Sequence, residues 1–397
     1  MREPMQNRFG RWLAVALLGL FAVSPGVRSD GSSAGRPGLE LGALLGGDAE
    51  ADAGYAVADA PRVFDFPADH GPHPDFRSEW WYLVVHLRDA EGERFGVQFT
   101  LFRQALAPPR SAAEAHAAGE SGVDPDVSQW RTRQVWMAHM ALTDPMAGHQ
   151  ASERFARGAL GLAGAEAEPF AAWLEDWRLA AEGGDGMFPL RLRARVTDVP
   201  EPFEVDLRLT DGRGPVLQGE DGLSQKSARE GNASYYYSFT RMNAVGTIRV
   251  QGREVEVEGL GWIDREWSTS ALDPGQVGWD WFALHLDDGR DLMIYRIRRD
   301  DGSVDPASAG VLVEADGSSR RLTPDDWALR PEGHWTDETG ARWPVRWRLE
   351  IPLAGIDGRV EARRQDQLNR LSVRYWEGQV CLDGPVPACG YLEMTGY

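Results

Sequence analysis

At 397 residues, with 42% apolar and 26% charged side chains, the chain has an ordinary globular composition and enough length for two domains with real cores. Its net charge of −19 and pI near 4.9 exclude the broad basic face that nucleic acid requires, and an anionic membrane surface would repel it. Sixteen tryptophans are the compositional anomaly.

In chain order, Arg2, Arg8 and Arg11 precede an apolar run from Trp12 to Val23, which gives way to Ser24-Pro25-Gly26 and Val27-Arg28-Ser29. A basic head, about a dozen apolar residues and small residues at a cleavage position read as a secretory signal over 1–29. The run is too short to span a bilayer. Cleavage after Ser29 starts the mature chain near Asp30, in the periplasm. That compartment is oxidising, so the two cysteines, Cys381 and Cys389, are expected to close a small disulfide loop, with a pair of free thiols as the alternative. Residues 30–60 are rich in Gly, Ala, Ser and Asp without periodicity and read as a flexible leader.

After Pro61 short aromatic or alternating segments are separated by turn signals. EWWYLVVHL (79–87) is followed by RDAEG and RFGVQFTLFR (94–103), and GTIRV (246–250) by QG and REVEVEGLGW (253–262); both read as hairpins. The Ala- and Pro-rich stretch 104–129 reads as a long loop or lid, and 134–144 as a strand. Only 111–120 and 170–180 carry helical periodicity. Residues 80–89 resemble 279–288, with Trp80 matching Trp279, Tyr82 matching Trp281 and His86 matching His285. Such self-similarity implies a duplicated β-domain, divided here as 61–245 and 246–397. A period of two sets Trp80, Tyr82, Val84 and His86 on one face and Glu79, Trp81, Leu83, Val85 and Leu87 on the other. Both faces are apolar, so the strand is covered on both sides or lines a cavity. An antiparallel barrel of about eight strands, which can enclose one small apolar ligand, accommodates the pattern.

Three clusters can carry chemistry: HPDFRSEWW (73–81), NASYYYSFTR (232–241) and WIDREW (262–267) with GWDWF (278–282). In WIDREW, Asp264 and Glu266 point the same way on a strand and Arg265 the other. Carboxylates shielded beside indoles suit general acid catalysis, because burial raises a carboxyl pKa toward neutrality. The competing reading is structural, with Arg265 or Arg77 pairing with these carboxylates and Trp262 and Trp267 only packing. The histidines have no metal-ligand spacing, no GxSxG stands outside the 30–60 leader, and GxGxxG and GxxxxGK[ST] are lacking, so no metal or nucleotide is expected. Lys226, the only lysine, reads as a surface residue.

HPDFRSEWWYL, NASYYYS, GWIDREWS, GWDWFALHLDDG and the terminal GYLEMTGY, in that order, resemble the AttH-like proteins, the superfamily that includes carotenoid 1,2-hydratase (hydroxyneurosporene synthase). The resemblance implies an all-β fold of two lipocalin-like (calycin) antiparallel barrels. It also implies hydration of an isoprenoid double bond without a cofactor, with Asp264, in an aromatic-X-Asp motif, as proton donor. On this reading Glu266 or Glu79 is the second carboxylate and Tyr237 an orienting hydroxyl. Trp80, Tyr82, Tyr235, Trp262, Trp267, Trp279 and Trp281 then form the walls around an isoprenoid, lipid or polyketide-like molecule. A carrier that passes such a molecule to an envelope transporter is the alternative.

Overall fold

The computed structural model describes residues 52–109, 132–183, 186–270 and 272–397. The signal segment 1–29, the leader before residue 52, the candidate helix 111–120 and most of the loop 104–129 lie outside the described residues. What is described is β-structure with three single-turn 3₁₀ segments.

The first sheet has thirteen strands: β1 (Ser78–Arg88), β2 (Arg94–Ala105), β3 (Gln134–Asp144), β4 (Gly148–Arg157), β5 (Ala163–Ala167), β6 (Phe170–Leu174), β7 (Trp177–Ala181), β8 (Leu190–Val196), β9 (Phe203–Asp211), β10 (Val216–Leu217), β11 (Leu223–Gln225), β12 (Ala233–Val250) and β13 (Arg253–Ser268). They run in the order β4-β3-β2-β1-β13-β12-β9-β8-β7-β6-β5, with β10 and β11 added beside β12. The second sheet has ten: β14 (Gln276–Leu286), β15 (Asp291–Arg299), β16 (Ala309–Val313), β17 (Ser319–Leu322), β18 (Ala328–Thr336), β19 (Arg342–Ile351), β20 (Ile356–Ala362), β21 (Leu368–Arg370), β22 (Arg374–Asp383) and β23 (Ala388–Met394). Its order is β17-β16-β15-β14-β23-β22-β20-β19-β18, with β21 beside β22. Both sheets curl into barrel-like, antiparallel, lipocalin-like domains.

Local chemistry explains the hairpins. Asp89 accepts the backbone N–H of Glu91 and Glu93, and Gly92 takes φ of 86°, which turns β1 into β2. Between β12 and β13 the turn is the two-residue Gln251-Gly252, both at positive φ, as the twist of a tight hairpin demands. This hairpin belongs to the first sheet, so the passage between domains lies between Ser268 and Gln276 and not at 245/246. A repeat match alone locates the copies but not the strands that close each of them. Residues 170–180 are also strands rather than helix. Phe170, Ala172, Leu174, Trp177 and Leu179 are all buried, and barrel packing overrides the helical spacing. The end of the expected leader is likewise docked. Ala58 is buried, Asp52 pairs with Arg77 at 2.7 Å, and Ala60 accepts a hydrogen bond from Tyr235.

The two apolar faces of the repeated strand now separate. Trp81, Leu83, Val85 and Leu87 face the interior of the first barrel, and Phe282, Leu284 and Leu286 face that of the second. The opposite faces meet at the seam, where the duplicated residues touch their counterparts. Tyr82 packs edge-on against Trp281 with ring centroids 5.3 Å apart, and His86 Nε2 lies 2.8 Å from His285 Nδ1. Gly96 is required here because a Cβ would lie 2.5 Å from the hydroxyl of Tyr391, which reaches across from β23. Buried Asp291 fastens the seam, pairing with Arg213 at 2.6 Å and Arg241 at 2.8 Å. Cys381 and Cys389, opposite each other on β22 and β23, form the disulfide.

Candidate active site

The barrel interiors are filled with side chains, and the cavity lies between them, at the seam. The cavity holds about 130 Å³ of open space and opens to solvent. Trp80, Tyr82, Tyr236, Asp264 and Glu266 come from the first sheet, and Trp279, Trp281, Tyr295, Tyr375 and Glu393 from the second. Lys226, beside β11, also lines it.

Strand β13 explains why WIDREW places charges between indoles. It pairs with β1 on one side and β12 on the other, setting Tyr82 and Ser238 opposite Asp264, and Trp80 and Tyr236 opposite Glu266. Alternation sends Asp264 and Glu266 to the seam and Arg265 and Trp267 into the first barrel. Asp264 is 4% exposed. Its Oδ1 accepts hydrogen bonds from Ser238 Oγ at 2.5 Å and Trp262 Nε1 at 2.7 Å, and its Oδ2 from Tyr236 Oη at 2.7 Å. Among the described residues no cation lies within ion-pair distance of it. Burial pushes its pKa up to about 7, the three donors oppose the rise, and Glu266 adds to it. The protein therefore holds a carboxyl poised between acid and base at neutral pH, touching an aromatic cavity.

Glu266 is in a different state. Lys226 Nζ lies 2.8 Å from its Oε1, and Ser234 Oγ donates to the same oxygen. Lys226 is not a surface residue: it rests over the rings of Tyr236 and Tyr295, at 5.3 and 4.8 Å, and although burial disfavours its charge, Glu266 holds it protonated. The polar neighbours in GLSQKSARE disguised a buried partner that only the fold supplies.

Glu79, expected as a second carboxylate, faces away from the cavity. Burial opposes its charge, but Arg265 and Arg103, both bonded to it, hold it ionised well below the usual carboxylate range. Arg265 stacks on Trp81 at 3.9 Å, and His73 lies flat on Trp267 with ring centroids 3.7 Å apart. The expected pairing of Arg265 or Arg77 with Asp264 and Glu266 is not what forms: the Arg265 guanidinium pairs with Glu79 and Arg77 with Asp52, and Arg265 meets Glu266 only at its backbone carbonyl, to which it donates at 3.2 Å. Tyr235, Tyr237 and Trp267 lie on the same inward face, where Tyr237 bonds His70 at 2.7 Å. Trp262 is buried behind Asp264 as its donor. The expected walls Trp80, Tyr82, Trp279 and Trp281 do line the cavity.

Sequence reasoning missed Tyr236, whose alternation with Ser234 and Ser238 marks the seam face once β12 is paired with β13. It also missed Glu393, inside the quoted terminal motif. Glu393 Oε1 accepts a hydrogen bond from Trp279 Nε1 at 2.7 Å, and burial, with Asp264 and Glu266 adding, pushes its pKa up to about 7 against that donor.

A family model for AttH-like proteins matches residues 57–397. The chain belongs to the AttH-like family. A protein assigned as AttH from Nitrosomonas europaea has a crystal structure to which this AttH-like chain is 34% identical, with a TM-score of 0.71, covering 86% of this chain and 99% of the other. Kievitone hydratase from Nectria haematococca shares the fold at 14% identity, with a TM-score of 0.60, over 86% of this chain and 96% of that one. A dehydratase from Emericella nidulans is 25% identical to this AttH-like chain over 162 residues, 39% of the chain and 45% of the dehydratase. The match therefore spans less than half of the dehydratase's length.

Proposed function

We propose that this AttH-like protein is an acid/base enzyme that adds water to, or removes it from, a hydrophobic isoprenoid or polyketide-like molecule held at the seam, with no cofactor taking part. The observation that carries the reading is Asp264, a carboxyl buried at an aromatic cavity wall with no cation in ion-pair reach among the described residues. A carrier needs the wall but has no use for the acid, whose burial disfavours its ionised form. The stretch of identity to a dehydratase supports the same reaction class.

In the hydration direction, protonated Asp264 gives its proton to one alkene carbon, directly or through Tyr236 Oη. The π bond breaks, a C–H bond forms, and the cation at the other carbon faces the rings of Trp80, Tyr82 and Trp281. Water adds its oxygen to that carbon and releases one proton to a carboxylate of the cavity, so the net change is one water added. Elimination is the reverse. Lys226, 2.8 Å from Glu266, supplies a positive charge at the cavity wall.

The test is incubation with an acyclic isoprenoid alkene bearing a terminal trisubstituted double bond in oxygen-18 water. A labelled tertiary alcohol is expected; tight binding of the alkene with no oxygen incorporated identifies a carrier and contradicts the proposal. Export belongs to the proposal too, and a periplasmic mass for a chain beginning near Asp30 checks it; an intact Met1 chain in the cytoplasm would contradict it.

A further inference from the structure

The internal duplication reaches further than the repeated aromatic strand. In the first sheet the repeat strand β1 pairs with β13, setting Tyr82 opposite Asp264 and Val85 opposite Gly261. In the second sheet β14 pairs with β23, setting Trp281, the counterpart of Tyr82, opposite Glu393, and Leu284, the counterpart of Val85, opposite Gly390. The paired strands then read Gly261-Trp262-Ile263-Asp264 and Gly390-Tyr391-Leu392-Glu393: glycine, aromatic, aliphatic, acid, in the same register. Both acids line the same seam cavity, and each accepts a hydrogen bond from an indole, Trp262 for Asp264 and Trp279 for Glu393.

We infer that Glu393 is a second catalytic residue, the second barrel's counterpart of Asp264, and that it exchanges a proton with the same bound molecule. The inference rests on the acid/base reading above. In hydration Asp264 protonates carbon, and Glu393, as carboxylate, takes the proton released when the water oxygen bonds to the neighbouring carbon. In dehydration Glu393 returns that proton to the leaving hydroxyl, the C–O bond breaks, and Asp264 removes the proton from carbon. Each half of the duplicated fold thus contributes one of the two proton-transfer groups.

A further acid, Glu377, stands beside Glu393. It lies directly opposite Glu393 on β22, 1% exposed, with Oε1 accepting from Tyr82 Oη at 2.6 Å and Oε2 without a hydrogen bond among the described residues. Facing carboxyls with no cation between them cannot both be ionised at little cost, so burial and Glu393 together keep Glu377 protonated. The titratable or charged groups facing this pair are Tyr82 from β1, Tyr375 from β22, Tyr391 from β23, and Asp264 and Glu266 from β13, the last with Lys226.

The experiment compares the wild type, Glu393→Gln, Glu393→Asp, Glu377→Gln and Asp264→Asn in the oxygen-18 assay, with binding of the same alkene read by quenching of tryptophan fluorescence. Glu393→Gln is expected to lower oxygen incorporation by about 10²–10⁴-fold with binding retained, and Glu393→Asp to restore part of the rate. Glu377 is already neutral, so Glu377→Gln removes no charge facing Glu393 and is expected to leave the acid limb of the hydration profile in place. Wild-type turnover in Glu393→Gln beside an inactive Asp264→Asn overturns the inference and leaves the single-acid reading standing. Joint loss of binding and turnover in Glu393→Gln, with no recovery of rate in Glu393→Asp, marks Glu393 as structural and overturns it as well. Full turnover in both Asp264→Asn and Glu393→Gln, or a wild type that incorporates no oxygen, overturns the reading and the inference together.

Discussion

Asp264→Asn is expected to lose oxygen incorporation by about 10²–10⁴-fold while still binding the alkene, because the amide keeps the shape of the cavity wall but has no proton to give. The same variant is expected to gain stability at high pH. Asp264 has its pKa raised to about 7 in the folded protein, from an ordinary 3.8. Between those values the folded state binds the proton and the unfolded chain does not, so wild-type stability falls as pH rises through that range. Above neutrality Asp264→Asn should therefore exceed the wild type by roughly 2–4 kcal/mol in urea denaturation. At pH 4 the advantage should vanish. Equal stability of the two proteins at every pH would show that Asp264 is not a desolvated acid.

Glu79→Gln is expected to be the most destabilising single change that leaves the cavity walls intact, by about 3–5 kcal/mol at neutral pH. Glu79, Arg103 and Arg265 are each 1% exposed, and removing the carboxylate strands two guanidinium groups in the first barrel. The sign with pH is opposite to that of Asp264. The folded-state pKa of Glu79 is depressed, so its contribution is complete above the unfolded value near 4.5 and shrinks as pH falls below it. The gap between Glu79→Gln and wild type should therefore narrow on acidification, as followed by thermal melting at a series of pH values. A melting temperature unchanged at neutral pH would mean that this ion cluster contributes nothing.

Much of the fold was legible because period-two alternation survives in the sequence wherever a strand is covered on both faces. Trp80 to Leu87 reads as a strand without any partner in view, and the match of 279–288 exposes the duplication. What could not be read was which strand neighbours which. The pairing of β12 with β13 decides that Tyr236, not Tyr235 or Tyr237, meets Asp264. A shift of one residue exchanges the two faces, and a run of three tyrosines gives no periodicity to choose by. Glu79 and Glu266 were equally attractive as acids in the sequence. Their cations, Arg103 and Arg265 for one and Lys226 for the other, come from distant segments or from the opposite strand face. The cavity was expected inside a barrel and lies between two, because the large aromatic residues that mark a lined interior equally mark a packed seam. Glu393 escaped notice because its likeness to Asp264 spans only four residues and becomes visible once β23 is seen to play the part of β13.

Asp264, at the junction of the two barrels, is expected to change its protonation near neutral pH. Infrared spectroscopy of the protonated-carboxyl band, titrated in wild type and in Asp264→Asn, measures this without any substrate. A band that titrates with a midpoint near pH 7 in the wild type and loses one carboxyl's amplitude in Asp264→Asn, Glu393 supplying the remainder, is the predicted result. A difference spectrum in which Asp264 ionises near pH 4, among the surface carboxylates, would contradict it.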